Sequence, residues 1–165
     1  MVEARDGQVR DGQTGDGRWR ELPTPEATAA LGEDLAARLR AGDVVLLSGE
    51  LGAGKTTLTQ GLGAGLGVRG PITSPTFVIA RVHPSLVGGP ALVHVDAYRL
   101  GDAVELEDLD LEASLEEAVT VVEWGRGLAE RLADSYLEVE LTRAVADEDE
   151  TPRRARVTGH GPRWA

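Results

Sequence analysis

The residues best suited to chemistry stand in one short run: Gly49, Glu50, Leu51, Gly52, Ala53, Gly54, Lys55 and Thr56, with Thr57 behind them. They fit the spacing G-x-x-x-x-G-K-[ST]. Glycines at these positions let successive backbone N–H groups turn inward around phosphate oxygens. A helix opening directly after them adds free N–H groups and the positive end of its dipole. The lysine reaches the β- and γ-phosphates, and the hydroxyl of Thr56 is placed to bind Mg²⁺. The expected ligand is therefore ATP with Mg²⁺, held by Gly52, Ala53, Gly54, Lys55, Thr56 and Thr57. Composition sharpens the expectation. Of 17 basic residues Lys55 is the only lysine, against 16 arginines. A chain so biased toward arginine keeps a lysine where a compact charge on a thin stem is needed and a wide planar fork will not serve.

Such a loop needs a carboxylate at the end of a neighbouring strand to hold the magnesium shell. Two positions qualify. Leu92-Val93-His94-Val95 runs into Asp96, and Val119-Thr120-Val121-Val122 runs into Glu123. In an open α/β sheet the carboxyl ends of strands line the ligand crevice, so both acids are candidates. Thr76, in Ser74-Pro75-Thr76-Phe77, serves either as a hydroxyl that senses the γ-phosphate or as an ordinary turn residue. His94 alternates with Asp96 and would share its face, and a structural role is the favoured reading. Trp124 either stacks near the base or packs in the core.

The elements that must position these groups follow from pattern. Thr24-Pro25-Glu26 reads as a helix start, with Thr as N-cap and Pro in the first turn. Leu31, Leu35 and Leu39 then give one apolar face, which Gly42-Asp43 closes. Val44-Val45-Leu46-Leu47 is a continuous apolar run, as a buried strand shows. Leu58, Leu62 and Leu66 mark a helix after the loop, weakened in propensity by Gly61, Gly63 and Gly65. Residues 77–82 and 91–95 read as two strands of a hairpin across the turn 84–90. Residues 102–118 and 126–132 read as helical, 119–122 as a strand, and 137–141 and 154–157 as strands joined by the acidic loop 147–150. Strands alternate with helices and the tail adds strands. The expected fold is α/β, a P-loop NTPase-like, mostly parallel sheet flanked by helices, with antiparallel strands at the C-terminal end.

The 165 residues favour one domain, expected over 19–160 behind a disordered leader at 1–18. The chain has no cysteine, which fits a cytoplasmic protein, and no apolar run long enough for a membrane span. The net charge of −11 sets the bulk surface against naked nucleic acid, so any role on RNA would run through a partner.

Four segments together resemble a known family. They are Gly49 through Thr57; Ser74-Pro75-Thr76-Phe77; His94-Val95-Asp96-Ala97-Tyr98-Arg99-Leu100; and Val122-Glu123-Trp124. In this order and spacing they resemble TsaE, also called YjeE, over about residues 22–142. The resemblance implies a small ATPase needed to form threonylcarbamoyladenosine at position 37 of tRNAs that read codons beginning with A. It implies work with a TsaB–TsaD heterodimer, which would present the tRNA. Carried over, Lys55 is the phosphate-binding lysine, Thr56 and Glu123 are magnesium ligands, and Asp96 is an acid needed for hydrolysis. Ser74 to Thr76 form a switch-like loop by the γ-phosphate, and the segment near Pro25 lies by the adenine.

Other readings remain to be set against this one. A small-molecule P-loop kinase shares the loop, and Arg126 and Arg131 are its available arginines, although no lid-like insertion is evident. A GTPase switch is closed off, because its Asn-Lys-x-Asp reader needs an asparagine and a second lysine that the chain lacks. A module that only senses nucleotide would lack turnover. Slow ATPase activity is expected of the isolated chain, since no arginine finger is evident, with Arg99 left as a candidate in cis.

Overall fold

The computed structural model describes residues 16–49, 54–68, 70, 72, 80–96, 116–123, 133–143 and 153–164. Seven strands form one sheet. In chain order they are β1 (Asp16–Leu22), β2 (Val44–Gly49), β3 (Ala80–His83), β4 (Ala91–Asp96), β5 (Ala118–Glu123), β6 (Tyr136–Arg143) and β7 (Arg153–His160). Helix α1 (Pro25–Ala36) precedes β2 and helix α2 (Lys55–Leu66) follows it. The spatial order is β1-β7-β6-β2-β5-β4-β3. The central four, β6, β2, β5 and β4, run parallel. β3 joins β4, β7 joins β6 and β1 joins β7, all antiparallel. The mostly parallel core, the 80s–90s hairpin and the antiparallel C-terminal strands follow the pattern read in the sequence. The expected helices at 102–118 and 126–132 lie almost wholly outside the described residues, as do the first fifteen residues of the leader.

Sidedness comes from strand alternation. Val45, Leu47, Leu92, Val119, Val121, Leu137, Val139 and Val157 point to one face, where they pack with Leu31 and Leu35 of α1 and Leu58 and Leu62 of α2. Val44, Val93, Val95 and Val122 form a second, smaller cluster on the other face. β2 is buried on both sides, which is why it reads as an unbroken apolar run.

Three local features differ from expectation. Strand β1 begins at Asp16, inside the segment expected as a leader, and pairs with β7; its sequence Asp-Gly-Arg-Trp-Arg-Glu-Leu carries almost no apolar pattern. Helix α1 ends at Ala36, and Leu39 is buried from the turn behind it. Arg38 and Leu39 donate their N–H groups to the carbonyls of Leu35 and Ala36, three residues back, so the last turn tightens. The Asp43 carboxylate then accepts the Arg40 N–H at 2.8 Å and stops the chain from continuing as helix.

The third concerns the glycines of α2. They cost helix propensity, but they permit contact. A Cβ on Gly61 would collide with the Ala29 carbonyl of α1, and one on Gly32 would sit 2.6 Å from the Leu62 nitrogen. On Gly65 it would lie 2.6 Å from the Ala36 Cβ. The helices therefore pack backbone against backbone along a seam where no side chain fits.

Candidate functional site

The site forms where the parallel strands end. Strand β2 delivers Ser48 and Gly49 to the carboxyl edge of the sheet, and α2 begins at Lys55. Gly54 is the N-cap, with φ 106°, a left-handed conformation that glycine adopts without strain. It has no side chain to cap the helix, and the first-turn N–H groups have no partner within the helix. That leaves a positive, donor-rich helix start facing the edge.

Lys55 is buried, and its Nζ donates to the Gly49 carbonyl at 2.6 Å, closing the loop across its mouth. Thr56 and Thr57 are half-buried in the first turn. The Thr56 hydroxyl takes no partner among the described residues. Thr59, one turn further on, donates its hydroxyl to the Lys55 carbonyl at 2.8 Å and stiffens the turn.

Register brings the two acids to the same edge. Leu47 on β2 is the Cα partner of Glu123 on β5, and Glu123 is the partner of Asp96 on β4. Glu123 is 5% exposed. Its Oε2 lies 2.5 Å from His94 Nε2, and its Oε1 takes no partner among the described residues. A buried carboxylate whose second oxygen has no partner among the described residues, on the sheet face that packs α2, is together with the Thr56 hydroxyl of that helix a donor set whose chemistry suits magnesium. Magnesium takes few protein oxygens and fills the rest of its octahedron with phosphate and water. Among the described residues no cluster of three or more His, Cys, Asp or Glu could hold a metal without such help.

The start of α1 flanks the loop. Thr24 caps the helix, its hydroxyl accepting the Ala27 N–H at 3.1 Å, and Pro25 opens the first turn as expected. The Thr28 methyl lies 3.5 Å from where a Cβ on Gly54 would be. So the Pro25 segment and the loop are neighbours. Gly52, Ala53, Ser74 to Thr76, Arg99, Trp124, Arg126 and Arg131 lie outside the described residues.

Two residues at this edge were not read as site residues. For His94 the sequence favours a structural role, and the residue is fully buried and in direct contact with Glu123. Its alternation with Asp96 was the one available signal. Arg153, at the first position of β7, runs its side chain beside the loop, with Cδ 3.6 Å from the Cβ position of Gly54. No local pattern marks it, since only the pairing of β7 with β6 carries it to this edge.

This is an α/β protein in which a mostly parallel sheet brings the strand ends at Gly49, Glu123 and Asp96 to the edge where helix α2 begins. The chain belongs to the TsaE family: the family profile described as threonylcarbamoyl adenosine biosynthesis protein TsaE matches residues 22–154. Proteins called tRNA threonylcarbamoyladenosine biosynthesis protein TsaE resemble it along most of their length. The one from Streptomyces coelicolor is 65% identical over 136 residues, covering 82% of this chain and 92% of that protein. The one from Mycobacterium tuberculosis is 54% identical, covering 82% and 84%, and the one from Bacillus subtilis is 40% identical, covering 81% and 82%. The crystal structure of Bacillus subtilis YdiB superposes with a TM-score of 0.68 at 33% identity, over 89% of this chain and 88% of that one. Among the described residues, no helix is long and apolar enough to cross a membrane.

Proposed function

We propose that the chain is a magnesium-dependent ATP-binding protein and slow ATPase of the cytoplasm. In this reading it works with a TsaB–TsaD heterodimer in forming N6-threonylcarbamoyladenosine at position 37 of tRNAs that read codons beginning with A. The observation that carries the reading is the row Leu47, Glu123, Asp96 at the carboxyl edge, beside a loop holding the chain's only lysine, in a member of the TsaE family.

Lys55 leaves the Gly49 carbonyl and engages the β- and γ-phosphates, while the first-turn N–H groups of α2 and the nitrogens of Gly52 and Ala53 surround the phosphate oxygens. Thr56 and Glu123 would hold magnesium, which would neutralise charge on the triphosphate. Asp96 orients the attacking water or completes the metal shell. The water oxygen bonds to the γ-phosphorus, the bond to the β–γ bridging oxygen breaks, and ADP and phosphate leave. Thr76 and its neighbours read the γ-phosphate and alter the grip on TsaB–TsaD. Pro25 and Trp124 border the base. With a net charge of −11 the chain meets tRNA only through the complex. Arg153 adds a positive charge beside the loop, yet turnover of the chain alone stays slow.

The test is multi-turnover formation of threonylcarbamoyladenosine on tRNA, with TsaB, TsaD and the threonylcarbamoyl-adenylate-forming enzyme. Wild type sustains turnover, and Lys55→Ala behaves like no addition. Equal progress in all three reactions would refute the assignment.

A further inference from the structure

His94 is the least explained residue at this edge. It stands in the middle of β4 among Leu92, Val93 and Val95, and like them it is buried. Its Nε2 meets Glu123 Oε2, while its Nδ1 is buried and has no hydrogen-bond partner among the described residues. A side chain kept for packing alone would be apolar at this position, because a ring nitrogen without a partner carries a desolvation cost that leucine or valine does not. The contact with Glu123 is what the imidazole provides in return. The Glu123 carboxylate has no other hydrogen-bond partner among the described residues, so nothing else there fixes its rotation.

We propose that His94 is a positioning residue: its Nε2–H holds Glu123 Oε2 and thereby turns Oε1 toward the cation that accompanies the nucleotide at the Gly49–Lys55 loop. The proton sits on Nε2 in this arrangement. That keeps Glu123 an acceptor at both oxygens, one for the ring and one for the metal or its water. The pair also stiffens the sheet where it matters, since it bridges β4 and β5 diagonally, from His94, two residues before Asp96, to Glu123 in the Asp96 row. Outer-shell groups of this kind are known to set metal affinity through the ligand they orient. The inference rests on the reading of the loop as a magnesium–nucleotide site.

The test compares full-length wild type, His94→Leu, His94→Gln and His94→Asn. Each is titrated with a fluorescent ADP analogue in EDTA and again in excess Mg²⁺, with thermal melting as a check on folding. The readout is the gain in affinity that Mg²⁺ confers. In His94→Leu this gain falls about 10- to 100-fold, the range seen when such partners are lost, while affinity in EDTA holds. His94→Gln, whose amide can still donate to Glu123, stays near wild type. His94→Asn, too short to reach, behaves like leucine and carries the test if the leucine variant does not fold. An unchanged Mg²⁺ gain in His94→Asn or His94→Leu overturns the proposal and leaves the site reading intact. So does an equal loss with and without the metal. Wild type that binds no nucleotide overturns both.

Discussion

Replacing Gly61 by alanine tests the tightest contact in the protein. On propensity alone the change stabilises α2 by about 1 kcal/mol, because glycine is the poorer helix former by that amount. Packing opposes it. The new Cβ would run into the Ala29 carbonyl and lie 2.8 Å from the Ala29 Cα, backbone atoms that cannot rotate aside. Carbon atoms pack at roughly 3.5–4.0 Å, so α1 and α2 must part by about 1 Å. Gly32 closes the same seam from the other helix and leaves no slack. Overpacking of this kind costs about 1–3 kcal/mol, and the parting also thins the contacts of Leu31, Leu35, Leu58 and Leu62. Set against the gain in propensity, the expected net effect is a loss of up to about 2 kcal/mol. Urea unfolding followed by circular dichroism measures it. Ala64→Gly, at an exposed position of the same helix, calibrates propensity and should lose about 1 kcal/mol. A Gly61→Ala protein more stable than wild type would refute the reasoning, for it would mean that the seam can open at no cost.

Arg163→Ala should cost about 2–3 kcal/mol in the same assay, near the lower end for breaking a buried pair. Arg163 holds the buried Asp43 carboxylate through two contacts of 3.2 Å and also donates to the Arg38 carbonyl at 2.9 Å. Among the described residues Asp43 would retain only the Arg40 N–H, and Arg163→Lys should recover part of the loss, though not all because lysine cannot form the fork. A change below about 0.5 kcal/mol would count against this clasp. Arg153→Ala should weaken binding of a fluorescent ATP analogue about tenfold, or ~1.4 kcal/mol, since the residue opens β7 and its side chain reaches the loop. Equal affinity of variant and wild type would remove Arg153 from the site.

What the sequence made legible is what depends on neighbours in the chain. β2 and the loop were readable because an unbroken apolar run, a glycine spacing and a leucine period adjoin one another. Thr24-Pro25 was readable because capping is a contact over three residues. β1 was not, because an edge strand solvated on one side needs few apolar residues; its exposed Trp19 lies under the Arg156 guanidinium, a contact between residues far apart in sequence. Glu123 could be named as a strand-end acid, but its pairing with His94 depends on the register of β4 and β5 across 29 positions, which no local pattern carries. The glycines of α2 show the same limit with the opposite sign. Counted along the chain they weaken a helix; set against α1 they are what lets it pack.

That seam bears on the site as well as on stability. α1 starts at Pro25 and passes Thr28 beside Gly54, and four residues later Gly32 fixes its distance from α2. α2 in turn starts at the lysine that closes the loop. The spacing of the two helices therefore sets how far the Pro25 segment stands from the helix start that would receive phosphate. Glycine is retained on both sides of this contact although alanine would favour each helix taken singly. A site that must keep a base-side element and a phosphate-side element in fixed relation gains more from backbone contact than from stronger isolated helices. On this argument Gly61→Ala should weaken nucleotide binding as well as folding. Ala64→Gly, with a comparable loss of stability, should leave binding unchanged; if it weakened binding equally, general softening of α2 and not the spacing of the helices would be the cause.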